Sequence, residues 1–238
     1  LTMVDWVAGD THLMLGQLAQ AREFTIAGLA RSRTHGDKFQ EARLACLLGE
    51  AMPTEGGGDE AVRVLTEAMV LAKSIGEEFL QCRAMNGLGA LCNDLGRLQE
   101  AQAHYHSALQ IALRLGDRRW QGGLYGNLAS LLHGNGEFEE ARAMYEQALV
   151  LAQQAGDRRW EGNTRCNLGL LHHEQGRSLQ ALKEFERALD MARAMGHARL
   201  ESTVLCNLGI VLEAQGDESS ARLHYEQAVA LAAELSDS

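Results

Sequence analysis

Residues 117–156, DRRWQGGLYGNLASLLHGNGEFEEARAMYEQALVLAQQAG, are followed directly by residues 157–196, DRRWEGNTRCNLGLLHHEQGRSLQALKEFERALDMARAMG, and the two segments align residue for residue. Both begin with Asp-Arg-Arg-Trp, carry a glycine halfway along and end on a glycine. Self-similarity at a fixed period is the signature of repeat architectures. We therefore expect a chain built from one 40-residue structural unit.

The same period runs through the whole 238-residue chain without an insertion. Small residues recur every 40 positions in five separate series, which the 25 glycines of the composition do not explain by chance. Three of these series are Gly36, Gly76, Gly116, Gly156 and Gly196; Ala21, Ala61, Ala101, Ala141, Ala181 and Ala221; and Gly9, Gly49, Gly89, Ala129, Gly169 and Gly209. The register predicts a single array over 1–238, with repeats at approximately 1–36, 37–76, 77–116, 117–156, 157–196 and 197–238.

Each unit is expected to form two helices, here called the A helix and the B helix. In residues 117–156, Leu124, Leu128 and Leu131 are spaced i, i+4, i+7, which is one helical face. Gly136 then ends the A helix, because glycine accepts the left-handed conformation that closes a helix. Asp157 is a good N-cap for the A helix that follows.

The B helix combines small residues with one large aromatic residue. Ala141 and Ala148 let neighbouring helices approach closely, and Tyr145 fills the space beside them. The large residue recurs as Tyr105, Tyr145, Phe185 and Tyr225. One unit cannot bury its apolar faces alone, so the stack of units is the expected folding unit.

These residues resemble the tetratricopeptide repeat. Leu128-Ala129, Gly136, Ala141, Tyr145 and Ala148 match its consensus of Leu-Gly, Gly, Ala, Tyr or Phe, and Ala. The 40-residue variant is similar to the repeats of Pins-type adaptors, of kinesin light chains and of the sensor domain of the bacterial maltose regulator. The resemblance implies an all-α, superhelical solenoid of six helix-turn-helix repeats.

Two units depart from the pattern. Repeat 2 carries Pro53, Thr54 and three glycines from Gly56 at its turn, so its A helix is expected to stop early and the turn to be mobile. Repeat 1 is expected to have a short A helix. Repeat 4 has Gly122, Gly123 and Gly126 inside its A helix, which implies either close approach of another group or a softened helix.

The composition excludes several function classes. A formal net charge of −10 argues against nucleic acid and against an anionic membrane surface as partners. The five cysteines are odd in number and none has CxxC spacing, so a secreted disulfide framework is not expected. With no long apolar run and no signal peptide, the chain is expected to be cytoplasmic.

We expect no catalytic residues, no cofactor and no metal, and therefore no enzyme. The nine histidines are scattered without ligand geometry, and no phosphate-binding loop is present. Cys46, Cys166 and Cys206 share one repeat position. Side chains at equivalent positions of neighbouring repeats lie about 10 Å apart, which is too far for a disulfide. They are interpreted as small buried residues.

The informative polar residues lie on the A helices, which line the concave surface of tetratricopeptide arrays. Asn127, Asn167 and Asn207 form a ladder at one repeat position, and asparagine is a poor helix-interior residue. An amide that donates and accepts suits the backbone of an extended peptide. The alternative is that each Asn bonds a neighbouring helix. The predicted groove residues are Arg43, Arg83, Asn86, Asn127, Ser130, Asn163, Asn167, Thr203 and Asn207.

The leading functional hypothesis is a protein-interaction scaffold that binds a peptide or partner segment in its concave groove. The alternative is a regulatory or sensor domain of a larger bacterial signalling or transcription-regulating protein, and the absence of an initial Met at Leu1 agrees with such a piece. The expected partners are proteins or peptides. Self-association through a terminal repeat is also expected, because Leu223, Val229 and Leu231 have no following helix to cover them.

Overall fold

The computed structural model describes residues 2–52 and 57–236, and this part of the chain forms twelve α-helices and no strand. The all-α prediction is confirmed. The helices are α1 (Thr2–Met14), α2 (Leu18–His35), α3 (Lys38–Ala51), α4 (Gly58–Ser74), α5 (Glu78–Asp94), α6 (Leu98–Leu115), α7 (Arg118–Gly134), α8 (Phe138–Ala155), α9 (Arg158–Glu174), α10 (Ser178–Met195), α11 (Ala198–Ala214) and α12 (Glu218–Ser236).

The chain divides into two compact units, residues 1–120 and residues 121–238. In the first unit, each of α1 to α5 packs on the next helix along the chain, and in the second unit α8 to α11 do the same. The single array over 1–238 stays a prediction.

The A helices form the inner layer of each unit. In the first unit α1 contacts α3 and α3 contacts α5, and in the second α9 contacts α11. The B helices make no such contacts with each other among the described residues. The A-helix surfaces are therefore where neighbouring repeats bring their side chains together.

The turns have the chemistry that the glycine series predicts. Gly156 has φ 66°, and its N–H donates to Gln153 O at 3.2 Å while the Asp157 N–H donates to Ala152 O at 3.0 Å. This is the Schellman pattern, which needs a left-handed residue and favours glycine. The Asp157 carboxylate then accepts from the Trp160 N–H at 3.0 Å and caps the next helix.

Small residues of the A helix face the large residue of the B helix within one repeat. A Cβ added at Gly169 would lie 2.6 Å from the Phe185 ring, and one added at Gly209 would lie 2.4 Å from the Tyr225 ring. Ala129 and Tyr145 share one buried cluster. The predicted pairing of small and large residues is confirmed at these repeats.

The glycines of α7 make room for Trp160 of α9. A Cβ at Gly122 would lie 2.4 Å from the indole, whereas one at Gly123 would lie 3.7 Å away and one at Gly126 would lie 3.9 Å away. Of the two explanations left open by the sequence, the structure supports close approach of a neighbouring group.

Three details of the sequence interpretation can now be compared with the structure. The A helices of repeats 1 and 2 are short, with 13 and 14 residues, as predicted. The predicted mobile turn of repeat 2, residues 53–56, lies outside the described residues. Cys46 and Cys166 are buried, but the prediction for Cys206 was wrong, because it is exposed. Asn207 of α11 bonds Cys166, whereas no A helix follows α11 among the described residues to do the same for Cys206.

Gly122→Ala and Gly123→Ala should change stability in opposite directions. At Gly122 the new methyl group displaces the Trp160 ring, which should lower the free energy of unfolding by about 1–3 kcal/mol. At Gly123 the methyl group meets only ordinary contacts, so the gain in helix propensity should stabilise by up to about 1 kcal/mol. Urea denaturation of both variants measures the difference, and equal effects of the two changes would contradict this packing.

Candidate functional site

All nine predicted groove residues lie on A helices. Arg43 is in α3, and Arg83 and Asn86 are in α5, so these three belong to the first unit. The other six lie in the second unit, on α7 (Asn127, Ser130), α9 (Asn163, Asn167) and α11 (Thr203, Asn207). The two sets are described separately.

In the first unit, Arg83 is held by carboxylates of two earlier repeats. Its guanidinium donates to both Glu50 oxygens at 2.8 and 2.7 Å and to Asp10 at 3.3 Å, and its side chain is only 14% exposed. Burial alone would lower the pKa of Arg83, but the hydrogen bonds and charge of Glu50 outweigh it and raise that pKa. Its charge is therefore already used to join three consecutive A helices.

Arg43 stacks on an aromatic ring of α1. Its guanidinium carbon lies 3.3 Å from the centroid of the Trp6 ring, and Nη1 lies 3.6 Å from the sulfur of Met3. Partial burial, followed by repulsion from Arg83, lowers the pKa of Arg43. A guanidinium over an indole face is a favourable cation–π arrangement. Both predicted arginines thus have partners within the first unit.

Asn86 and Asn127 are both half-buried, and neither lacks an interaction within the chain. Ser130 is exposed, and its hydroxyl lies 3.0 Å from the Tyr145 hydroxyl. These three residues are accessible in part, with at least some of their polar groups already engaged.

In the second unit, α9 and α11 present neutral polar side chains. Asn163 and Thr203 are exposed, and the Thr203 hydroxyl donates to Arg199 O at 2.9 Å. Asn167 and Asn207 are half-buried, and the Asn207 amide donates to Cys166 Sγ at 3.4 Å. Sulfur is a weak acceptor, so this bond leaves most of the hydrogen-bonding capacity of Asn207 unused.

Asn167 differs from Asn207 in what faces it. By the 40-residue register, the counterpart of Cys166 one repeat earlier is Gly126, which offers no side chain to accept a bond. Among the described residues, no hydrogen bond is found for the Asn167 amide. The ladder predicted from the sequence is therefore uneven, and Asn167 is its least engaged position in the second unit.

Sequence reasoning did not identify the partners that engage the arginines. Trp6, Asp10 and Glu50 lie one or two repeats before the side chains that they contact, and only the spatial adjacency of A helices reveals the pairing. Arg165 was also missed. It is buried and bridges Glu161 and Glu184 at 2.7 Å each, which joins α9 to α10. The spacing of four between Glu161 and Arg165 was the available signal.

The described residues contain no group of three or more His, Cys, Asp or Glu side chains placed to hold a metal ion. None of the helices in the described part of the chain has the length and apolarity needed to cross a membrane.

Comparison with known proteins agrees with this architecture. The sequence model of the tetratricopeptide repeat family matches residues 120–194 and 179–234. No curated protein sequence matches the chain significantly.

Several solved structures have the same fold at low sequence identity. BtubC from P. vanneervenii is 24% identical over 91% of this chain and 92% of its own, with a TM-score of 0.77. The Rap conjugation gene regulator of plasmid pLS20, solved in complex with the Phr* peptide, is 17% identical over 98% and 74%, with a TM-score of 0.71. A signal transduction ATPase with a tetratricopeptide repeat sensor from Pyrococcus horikoshii is 14% identical, with a TM-score of 0.73; the match covers 95% of this chain and 35% of that one.

Arg83→Met should destabilise the first unit, because it leaves Glu50 half-buried without its cation. We expect a loss of roughly 1–3 kcal/mol in the free energy of unfolding, below the range for a fully buried pair because water still reaches this one. Arg63→Met is the matched control, since Arg63 pairs with Glu60 and Glu67 on an exposed surface where water screens both pairs, and it should cost much less. Thermal and urea denaturation compare the two, and equal losses would contradict a structural role for Arg83.

Proposed function

Because this chain is a tetratricopeptide repeat protein, we propose that it binds an extended peptide segment of a partner protein along the A helices of its second unit. Repeats of this fold generally serve protein interaction, and catalysis is not part of the proposal. The proposed contact residues of the second unit are Asn127, Ser130, Asn163, Asn167, Thr203 and Asn207. The observation that carries the proposal is the row of neutral amides on α9 and α11, with the Asn167 amide unengaged among the described residues.

Amide side chains fit the proposed ligand for a chemical reason. A carboxamide offers two N–H donors and one carbonyl acceptor, which match the carbonyl and N–H groups of an extended backbone. Asn163 and Asn167 are one helical turn apart on α9, and Thr203 and Asn207 repeat this spacing on α11. A peptide crossing the two helices would therefore meet a polar group from each turn.

The predicted groove residues of the first unit, Arg43, Arg83 and Asn86, are proposed as a partner-contact surface of that unit alone. There a carboxylate of the partner would have to compete with Glu50 and Asp10 for Arg83. Neutral hydrogen bonds are weakly screened by salt, whereas exposed ion pairs are strongly screened. The proposed binding should therefore depend little on ionic strength.

The solved relatives support peptide recognition and one alternative. The Rap regulator was solved with a peptide, which agrees with peptide binding by a chain of this fold. The tetratricopeptide sensor of the P. horikoshii ATPase favours the alternative, a regulatory domain of a larger signalling protein. A nucleotide-binding or DNA-binding domain encoded in the same gene would favour this regulatory role.

A cytoplasmic location stays a prediction, and self-association through the terminal repeats is part of the proposal.

Peptide binding can be tested with random linear peptides displayed on phage and selected on the intact chain. Peptides from enriched clones, labelled with a fluorophore, should bind the wild type, and Asn167→Ala should raise their Kd by up to about tenfold, which is the value of one lost hydrogen bond. Asn207→Ala should have a smaller effect, because its amide is shared with Cys166. Fluorescence anisotropy at low and high salt gives the Kd values.

Asn93→Ala is the matched control, because Asn93 is exposed near the end of α5, outside the proposed surface. It should leave the Kd unchanged. Circular dichroism should give the same melting temperature for all three variants. Absence of enrichment, an unchanged Kd for Asn167→Ala, or a Kd that rises steeply with salt would each count against the proposed site.

A further inference from the structure

Within the described residues, no following A helix packs on one stripe of α12, and no preceding B helix packs on one stripe of α1. We define the tail face as Tyr225, Val229 and Ala232 of α12, and the head face as Val4, Ala8 and Thr11 of α1. In both faces the residues are spaced i, i+4, i+7, so each forms one stripe along its helix. Val229 is 69% exposed and Val4 is 65% exposed.

The 40-residue register shows what these faces correspond to inside the chain. The counterparts of the tail face in α10 are Phe185, Leu189 and Ala192, which are almost fully buried. The counterparts of the head face in α11 are Val204, Leu208 and Val211, which are equally buried. All six belong to one hydrophobic cluster, so this B-helix stripe packs on this A-helix stripe.

The same relationship holds in the first unit. Leu65 of α4 corresponds to Tyr225, and it shares a cluster with Leu88 and Leu91 of α5, which correspond to Ala8 and Thr11. Ala72 corresponds to Ala232 and is fully buried. The tail and head faces therefore correspond to the two sides of an interface that the chain already forms between its own repeats.

We propose that the tail face of one copy binds the head face of a second copy, so that α1 of the second copy takes the place of a following A helix on α12. This specifies the self-association named above and does not depend on peptide binding. A surface cavity of about 580 Å³ between α11 and α12 is lined by Ala221, Tyr225, Val229 and Ala230 and by the charged side chains of Glu213, Glu218, Arg222 and Glu226, and the incoming helix would pack on its apolar residues. Because the two faces differ, the contact is heterologous and leaves a free head and a free tail.

The polar groups of the two faces are already satisfied within their own copy. The Tyr225 hydroxyl donates to the Glu213 carboxylate at 2.9 Å, and the Thr11 hydroxyl donates to Val7 O at 2.8 Å. Burial of the Tyr225 ring and the Thr11 methyl group would therefore leave no hydroxyl without a partner. This removes the main cost of burying either residue.

Charges at the edge of the junction are also compatible. Inside the chain, a turn residue of one repeat pairs with the start of the preceding B helix, as Arg97 does with Asp59 at 2.6 Å and Arg177 with Glu139 at 3.2 Å. In the proposed junction, the register puts Gln17 and Ser219 at these two positions. Both are neutral and polar, so these two positions bring no like charges together.

The side chains of the two faces are smaller than those of the internal junction. Val229 occupies the position that Leu189 has in the internal junction, and Ala8 occupies that of Leu208. Less apolar area is therefore buried when the two faces meet. The association should therefore be weaker than the packing of internal repeats and should vary with protein concentration. Sedimentation velocity and light scattering of the intact chain over a concentration series should show a mass that rises above the monomer.

Single substitutions at each face identify the contact. Val229→Glu and Val4→Glu place a charge at the centre of the tail and the head face, and each alone should keep the chain monomeric. An equimolar mixture of the two variants should form dimers and stop there, because the intact head of Val229→Glu binds the intact tail of Val4→Glu. Val150→Glu is the matched control, since Val150 is an exposed residue of α8 outside both faces, and it should associate like the wild type.

Circular dichroism checks that each variant folds, which is expected because all three positions are exposed on helices. A monomeric wild type at every concentration would overturn the proposal. So would association that survives either substitution, and so would a mixture of the two variants that stays monomeric. If only Val229→Glu blocks association, the contact is tail to tail and the head face has no part in it.

Discussion

The structure depends on the close approach of the two helices within each repeat. At Gly169 a single added Cβ would lie 2.6 Å from the Phe185 ring, so the A helix is held against the B helix by the absence of a side chain. This close approach determines the orientation of each B helix and therefore where the next A helix packs on it. Since no repeat can bury the apolar residues of its B helix alone, the stability of every repeat depends on its neighbours.

The sequence predicted the features that local chemistry determines. Helix ends followed from glycines such as Gly156, whose positive φ a Schellman turn requires, and the placement of the asparagines on A helices followed from the 40-residue register. The sequence could not predict which hydrogen bonds and ion pairs each polar side chain makes within the fold. Arg83 meets Glu50 and Asp10, 33 and 73 residues away, and these contacts depend on how three A helices pack side by side. The partner of Gly122 was hidden for the same reason, because Trp160 lies in the next repeat.

The two units use their A-helix surfaces in different ways. In the first unit Arg83 forms ion pairs with carboxylates of two other A helices. The charged side chains of this surface therefore stabilise the packing of neighbouring repeats. In the second unit the charged bridge of Arg165 is buried between α9 and α10, and neutral amides and hydroxyls remain on the accessible side. One repeat pattern thus supports two surfaces of different chemistry, because the packing positions recur in every repeat while the polar positions vary.

An array of repeated packing faces leaves one face without an internal partner at each end of the described residues, and in the proposed association that partner lies on a second copy. Charge at the centre of such a face would prevent stacking, and α1 and α12 carry instead Val4 and Val229, with smaller neighbours than the internal repeats have. Reduction in size weakens a contact without abolishing it. Stacked copies would also hold several peptide-binding surfaces on one assembly, and a partner with two binding segments would then gain affinity through effective concentration rather than through any new contact. Weak association of the tail and head faces, together with modest affinity at each peptide-binding surface, is therefore compatible with tight, reversible recognition of a multivalent partner.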